Sequence, residues 1–231
     1  MWSTLKDNLE NNKSSILITS LEDGLSSNSL ITEDQEVIGE ELSNFLVAEA
    51  QESYRQRRHR TVEENGKTYF IQIYPRKSLL LVIGAAHITV DLVALGNMFG
   101  FETVVIDPRG YFAKNISFSS APSQILEAYP SEVLDQFPLD AYTYCAILSH
   151  DPKIDDNALE ILLPAGLGYI GALGSKKTHA KRIARLLKKG MSQEMLDQIH
   201  APIGLSIHAK SAREIALSIM SQIIEVKNGG N

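Results

Sequence analysis

Gly171-Ala172-Leu173-Gly174-Ser175-Lys176-Lys177-Thr178-His179 is the most pointed stretch of this chain, because its residue types suit an anion. A strand through Gly171 would run into a small-residue turn at Gly174 and then a helix whose first residues carry hydroxyl, amine and imidazole groups. Free backbone amides and the helix dipole make such a start electropositive, so Gly174, Ser175, Lys177 and His179 together favour a phosphate or similar group. From Lys176 to Lys189 the cations Lys176, Lys177, Lys181, Arg182, Arg185, Lys188 and Lys189 occur with no acid among them. A solvated basic face accounts for Arg185, Lys188 and Lys189. The spacing is not that of a Walker loop, which needs G-x-x-x-x-G-K-[ST].

A second turn, Gly84-Ala85-Ala86-His87, follows the apolar run Leu79 to Ile83, and Asp107 closes the next such run. About twenty residues separate a phosphate turn from the carboxylate that meets a ribose in dinucleotide-binding domains. Ala86 and Thr89 stand where G-x-G-x-x-G needs glycine, so close approach of a pyrophosphate is only partly supported. His87 either donates to a ligand oxygen or caps the helix in solvent. Asp107-Pro108-Arg109 joins an acid to a guanidinium fork suited to phosphate or pterin heteroatoms; a pair that only shapes its loop is the other reading. Ser149-His150-Asp151 ends a third strand and puts an imidazole beside a carboxylate, which could move protons or bind metal. Asp155 and Asp156 read as helix caps. The single cysteine, Cys145, lies among Tyr144, Ala146 and Ile147 and reads as an inert core thiol. It excludes an internal disulfide, and no Cys/His spacing indicates a structural metal. No residue is assigned a catalytic role.

The elements that must position these groups alternate. Strands are expected at Leu79 to Ile83, Glu102 to Ile106, Thr143 to Ser149 and Tyr169 to Ala172. Helices are expected over His87 to Phe99, with Ile88, Leu92, Leu95 and Phe99 on one face, then Asp156 to Leu163, Lys176 to Lys189, a short one after Ser192, and Ala212 to Lys227. Gly100 stops the first of these, and Ser211 with Glu214 forms a capping box before the last. Strand and helix taking turns predicts an α/β fold, a doubly wound, mostly parallel Rossmann-like sheet over residues 76–231. Residues 1–75 predict a small α+β unit. It has a strand at Ser15 to Thr19, a polar loop through Leu25 to Asn28, and a helix from Glu36 to His59 with core face Ile38, Leu42, Phe45, Leu46 and Ala50. A hairpin follows, turning at Asn65-Gly66. Arg55, Arg57, Arg58, His59 and Arg60 read as complementing that helix's C-terminal dipole, a phosphate patch being the other reading.

With 44% apolar and 22% charged residues in 231, the chain has the balance of a globular protein. A formal net charge of −6 argues against a general nucleic-acid binder, and no segment suits a signal sequence or membrane span, so the cytoplasm is the expected location.

The strings Tyr169 to Ala180, Ile199-His200-Ala201-Pro202-Ile203-Gly204-Leu205 and Glu214-Ile215-Ala216 resemble the C-terminal domain of the XdhC/CoxI family. Ser149-His150-Asp151-Pro152-Lys153 with Asp155-Asp156, Ile83-Gly84-Ala85-Ala86-His87 and Ile106-Asp107-Pro108-Arg109 fit the same pattern in the same order. The resemblance runs from Pro75 to Asn228. It implies an accessory protein that binds the pyranopterin molybdenum cofactor, assists its sulfuration, and inserts it into xanthine dehydrogenase or a related molybdenum hydroxylase. A cysteine desulfurase is a further implied partner. The cofactor would be carried rather than used, held at Gly84, Ala85, His87, Asp107, Arg109, His150, Asp151, Gly171, Gly174, Ser175, Lys177 and His179. Two departures stand out: the Gly-Ser and Gly-Gly-Cys motifs of fuller members are absent from residues 1–75, and His208 stands where the family usually has glycine. The residues alone leave two other readings open, an NAD(P)-dependent oxidoreductase and a nucleotide-sensing module. The N-terminal unit is expected to dock or dimerise, a homodimer being the default.

Overall fold

A computed structural model of the chain describes residues 1–22, 27–110 and 117–229. They form two compact units, Met1–Lys77 and Ser78–Gly229.

In the first unit, strands β1 (Ser15–Ser20), β2 (Asn28–Thr32), β3 (Val37–Gly39), β4 (Arg60–Glu64) and β5 (Lys67–Tyr74) form an antiparallel sheet of order β3-β2-β1-β5-β4. Helices α1 (Trp2–Glu10) and α2 (Asn44–Arg55) complete it. The hairpin turns at Asn65 and Gly66, both at positive φ (52° and 79°), as an Asn-Gly turn requires. The helix expected from Glu36 instead begins at Asn44. Ser43 caps it, its hydroxyl accepting from the Leu46 amide at 3.1 Å, and Val37 to Gly39 pair with β2 as an edge strand. Ile38 is therefore a strand residue, and Phe45 is 43% exposed, whereas Leu46 and Ala50 are buried as expected. The helix ends at Arg55, and Arg60 opens β4, pairing with Glu49 at 3.0 Å. Of the loop expected through Leu25 to Asn28, residues 25 and 26 lie outside the described residues, and Asn28 opens β2.

The second unit is a six-stranded, wholly parallel sheet: β6 (Leu79–Ile83), β7 (Glu102–Ile106), β8 (Gln124–Leu126), β9 (Thr143–Ile147), β10 (Tyr169–Ala172) and β11 (Ile199–His200), in the order β11-β10-β9-β6-β7-β8. The chain starts at the centre, steps outward to β8, then returns to β9 and steps outward the other way. Helices α3 (His87–Met98), α4 (Pro130–Val133), α5 (Pro152–Leu162), α6 (Lys176–Lys188), α7 (Gln193–Leu196) and α8 (Ala212–Gly229) cover both faces. Leu81, Ile83, Ile106 and Ile147 pack with Ile154, Leu159 and Leu186 of α5 and α6, while Leu80, Val82, Val105 and Ala146 pack with Leu92 of α3 and Ile219 of α8. Burial on both faces explains why these strands read as unbroken apolar runs. Phe99 falls just past the end of α3 and is exposed, and Gly100 follows at φ 77°. The doubly wound fold is thus as the alternation implied. Among the described residues no helix is long and apolar enough to cross a membrane.

Where the winding reverses, between β6 and β9, the strand ends touch. Gly84 has φ 109°, and a Cβ there would lie 2.6 Å from the backbone nitrogen and Cα of Ser149. Left-handed strain and a backbone collision add, so Gly84→Ala should destabilise the protein by roughly 2–4 kcal/mol. Urea unfolding of the variant checks this; an unchanged midpoint would contradict it.

Candidate functional site

All six strands point their carboxyl ends the same way, which brings the turns after β6, β7, β9 and β10 to one edge. Ligands of open α/β sheets bind along that edge, at the reversal point. The Gly84 amide donates to the Ile106 carbonyl at 2.9 Å and the Leu148 amide to the Ile83 carbonyl at 2.8 Å, so three strand ends are tied together.

Asp107 is fully buried and fully engaged. Oδ2 accepts from the Ala85 amide (2.7 Å) and Arg109 Nη2 (2.8 Å), and Oδ1 from the Arg109 amide and Nε (both 2.9 Å). Burial alone would raise its pKa, but the Arg109 guanidinium and the two amides outweigh that and hold the carboxyl below its ordinary value. Four donors exhaust the lone pairs that a ribose hydroxyl would need. The Ala85 amide is spent on Asp107, and the Ala86 amide on the Thr89 hydroxyl (3.2 Å), which itself donates to the Gly84 carbonyl at 2.6 Å. Ala86 and Thr89, the residues that break the glycine pattern, thus close the turn on itself. A pyrophosphate finds neither amide available in this arrangement, and the oxidoreductase reading is not favoured.

His87 is exposed at the first residue of α3 and lines a cleft of about 550 Å³ with Asp91, Ser117, Ser211 and Arg213, on the α3 and α8 face. His150, exposed, has φ 59°. Asp151 caps α5, accepting from the Lys153 amide at 2.9 Å. Pro152 at the first helical position fits that start, so α5 begins four residues before the expected Asp156.

The capping expected of Asp155 and Asp156 is corrected, whereas Arg185 and Lys189 keep the solvent exposure expected of them but are ion-paired. Arg182 Nη2 donates to Asp155 Oδ2 at 3.0 Å in a buried pair, Arg185 binds Asp156 through two bonds (2.6 and 2.8 Å), and Lys189 reaches Glu160. Acids at 155, 156 and 160 on α5 face cations at 182 and 185 on α6 and at 189 just past its end, a complementary pair of stripes present in the sequence.

Gly171 lies within β10, buried, where a Cβ would come 2.6 Å from Ile203; it serves packing. Gly174 has φ 135° and Ser175 caps α6, accepting from the Thr178 amide at 3.2 Å. Lys176 and Lys177 are exposed and have no ion pair among the described residues. His179 is half-buried, its Nδ1 has no hydrogen-bond partner there, and burial followed by the Arg182 charge pushes its pKa down. The β9 and β10 turns are joined through Asp155 and Arg182: the Ser149 hydroxyl donates to Asp155 Oδ1 (2.5 Å), and Arg182 Nη2 also donates to the Leu173 carbonyl (3.0 Å). Arg182, absent from the residues chosen on sequence, is thus the side chain that bridges two of the turns. Cys145 is a fully buried thiol whose pKa burial drives up, so it is not a nucleophile. Among the described residues no cluster of three or more His, Cys, Asp or Glu could hold a metal ion. His208 adopts φ 57°, the left-handed conformation that glycine favours.

The family described as the XdhC Rossmann domain matches residues 80–223. This chain belongs to the XdhC family. It is 30% identical over 158 residues to a probable xanthine dehydrogenase subunit of Bacillus subtilis (strain 168), covering 68% of this chain and 46% of that protein. It is 34% identical over 105 residues to the molybdenum cofactor insertion chaperone PaoD of Escherichia coli (strain K12), 43% of this chain and 33% of that one. A crystal structure of a xanthine dehydrogenase from Bacillus halodurans superposes with a TM-score of 0.63 at 28% identity, covering 98% of this chain and 63% of that chain. The chain spans less than half the length of these two curated relatives.

The depressed Asp107 pKa fixes the sign of a pH test. A carboxyl more acidic folded than unfolded stabilises above its unfolded pKa, and the gain is lost as pH falls through the folded one. Asp107→Asn should therefore cost roughly 2 kcal/mol at pH 7 and less near pH 3. Urea unfolding at both pH values checks it; an equal cost at both would contradict it.

Proposed function

We propose that this chain is a cytosolic accessory factor that binds the pyranopterin molybdenum cofactor and delivers it to a molybdenum hydroxylase of the xanthine dehydrogenase kind. One observation carries the reading: within the XdhC Rossmann domain, the dinucleotide contacts at Ala85, Ala86 and Asp107 are consumed internally, whereas the turn at Gly174 keeps cationic donors for a different ligand. Both named relatives, a probable xanthine dehydrogenase subunit and a cofactor insertion chaperone, support the same role.

The residues fit such a ligand. A pterin ring with a phosphate arm needs donors for the phosphate and a crevice for the ring. Gly174, Ser175, Lys177 and His179 at the start of α6 supply the first, with Arg182 beneath them. The reversal point between Gly84 and Ser149, flanked by Arg109 and His150, supplies the edge along which the ring would lie. The bound cofactor carries redox chemistry that belongs to the client enzyme; this chain's residues bind it, orient it and shield it. A buried Cys145 and an Asp107 locked to Arg109 suit holding rather than turnover.

Passing purified protein mixed with released molybdopterin over a sizing column tests this. The pterin fluorescence should travel with the protein, and NADH or NADPH titrated in its place should show no saturable binding. Pterin eluting wholly in the small-molecule volume would overturn the proposal.

A further inference from the structure

Arg182 is 1% exposed, yet one nitrogen does all of its bonding among the described residues. Nη2 serves both Asp155 Oδ2 and the Leu173 carbonyl, each at 3.0 Å, while Nε and Nη1 donate to nothing there. His179, three residues earlier and so on the same face of α6, has Nδ1 buried and equally without a partner. Buried polar atoms are almost always satisfied, and an unmet donor on a charged group is costly. Two such donors on Arg182, with an unpartnered imidazole nitrogen one helical turn away at the edge where this fold receives ligands, call for an acceptor-rich group.

The surroundings specify its chemistry. The guanidinium lies against the residue that precedes the Gly174 turn, and that turn, with no Cβ at Gly174, opens the thirteen-residue helix α6. Asp155 offsets the Arg182 charge, and its other oxygen is taken by Ser149. Further positive potential comes from the helix start and from exposed Lys176 and Lys177. The unpartnered guanidinium nitrogens and the imidazole thus share one face of a helix whose start is positive. A planar carboxylate offers two oxygens in one plane, whereas a phosphate monoester presents three around a tetrahedron.

We infer that Arg182 is the buried anchor of a phosphate-monoester site beneath the Gly174–Ser175 turn, with His179 as its other side-chain donor and exposed Lys177 adding positive potential at the helix start. The site rests on the cofactor-binding reading for the identity of the whole ligand, but phosphate recognition is independent of it. Asp155 and Ser149 are positioning residues: they fix the guanidinium and make no contact with phosphate.

The full chain, titrated with inorganic phosphate and followed by 31P line broadening and by the His179 ring resonances, tests the inference. Saturable binding is expected, weakened about tenfold or more by Arg182→Lys and several-fold by His179→Ala and Lys177→Ala. The last two leave the Asp155 pair intact, so they carry the test if Arg182→Lys does not fold. A parallel titration compares molybdopterin with its dephosphorylated form, the intact form being expected to bind about tenfold or more tightly. Absence of saturable phosphate binding, or equal binding by wild type and variants, would overturn the inference, an ordered water then completing these donors. Retained molybdopterin binding in that event would leave the proposed function standing. Phosphate binding lost in the variants without any pterin binding would do the reverse.

Discussion

Gly84 meets the backbone of Ser149 at a distance that leaves no room for a side chain, and everything at the ligand edge is arranged around that meeting. It exists because β6 and β9 are parallel neighbours whose connections leave in opposite senses, α3 covering one face and α5 the other. Parallel strands send their loops to a common edge, so residues more than sixty positions apart in sequence are brought into contact. The cores on the two faces fix the strand ends; the turns inherit their positions from them.

Electrostatics then divides the edge. On the β6–β7 side, Asp107 gathers the Ala85 amide and the Arg109 fork into a closed unit, which turns a carboxylate that other Rossmann domains present to a ribose into a structural clamp. On the β9–β10 side, α5 and α6 cancel most of their opposite charges along the shared face, through Asp155 with Arg182, Asp156 with Arg185 and Glu160 with Lys189. What escapes cancellation among the described residues is Lys176 and Lys177 at the start of α6, together with Lys181 and Lys188 on its exposed side. The basic helix that looks uniformly cationic in sequence is therefore divided in the fold, neutral along its inner stripe and positive at its first turn and along its exposed side.

The periodicity of the second unit was legible because its strands are buried on both faces and its helices on one, so apolar runs and stripes translate directly into elements. Leu79 to Ile83, Glu102 to Ile106 and Tyr169 to Ala172 fall where the runs place them. Short peripheral pieces were not legible: β8 is largely exposed and β11 has only two residues, too few to show a period. In the first unit the apolar residues Val37 and Ile38 mimicked the start of a helix, and only the capping geometry at Ser43 shows where α2 begins. The site was half legible. Gly84, Asp107 and Gly174 could be placed by their positions after strands. That Asp107 would be saturated, and that Arg182 would turn inward with unmet donors, depends on which residues face each other across α5 and α6, and pairing between distant helices leaves no local pattern.

Hydrogen exchange of the full chain with and without molybdopterin tests the central claim most directly, since it reports where a ligand sits without presupposing any residue's role. Slowed exchange should concentrate in the turns that follow β6, β9 and β10 and in the first turn of α6. Protection confined to residues 1–77, or to the opposite ends of the parallel strands, would contradict the account.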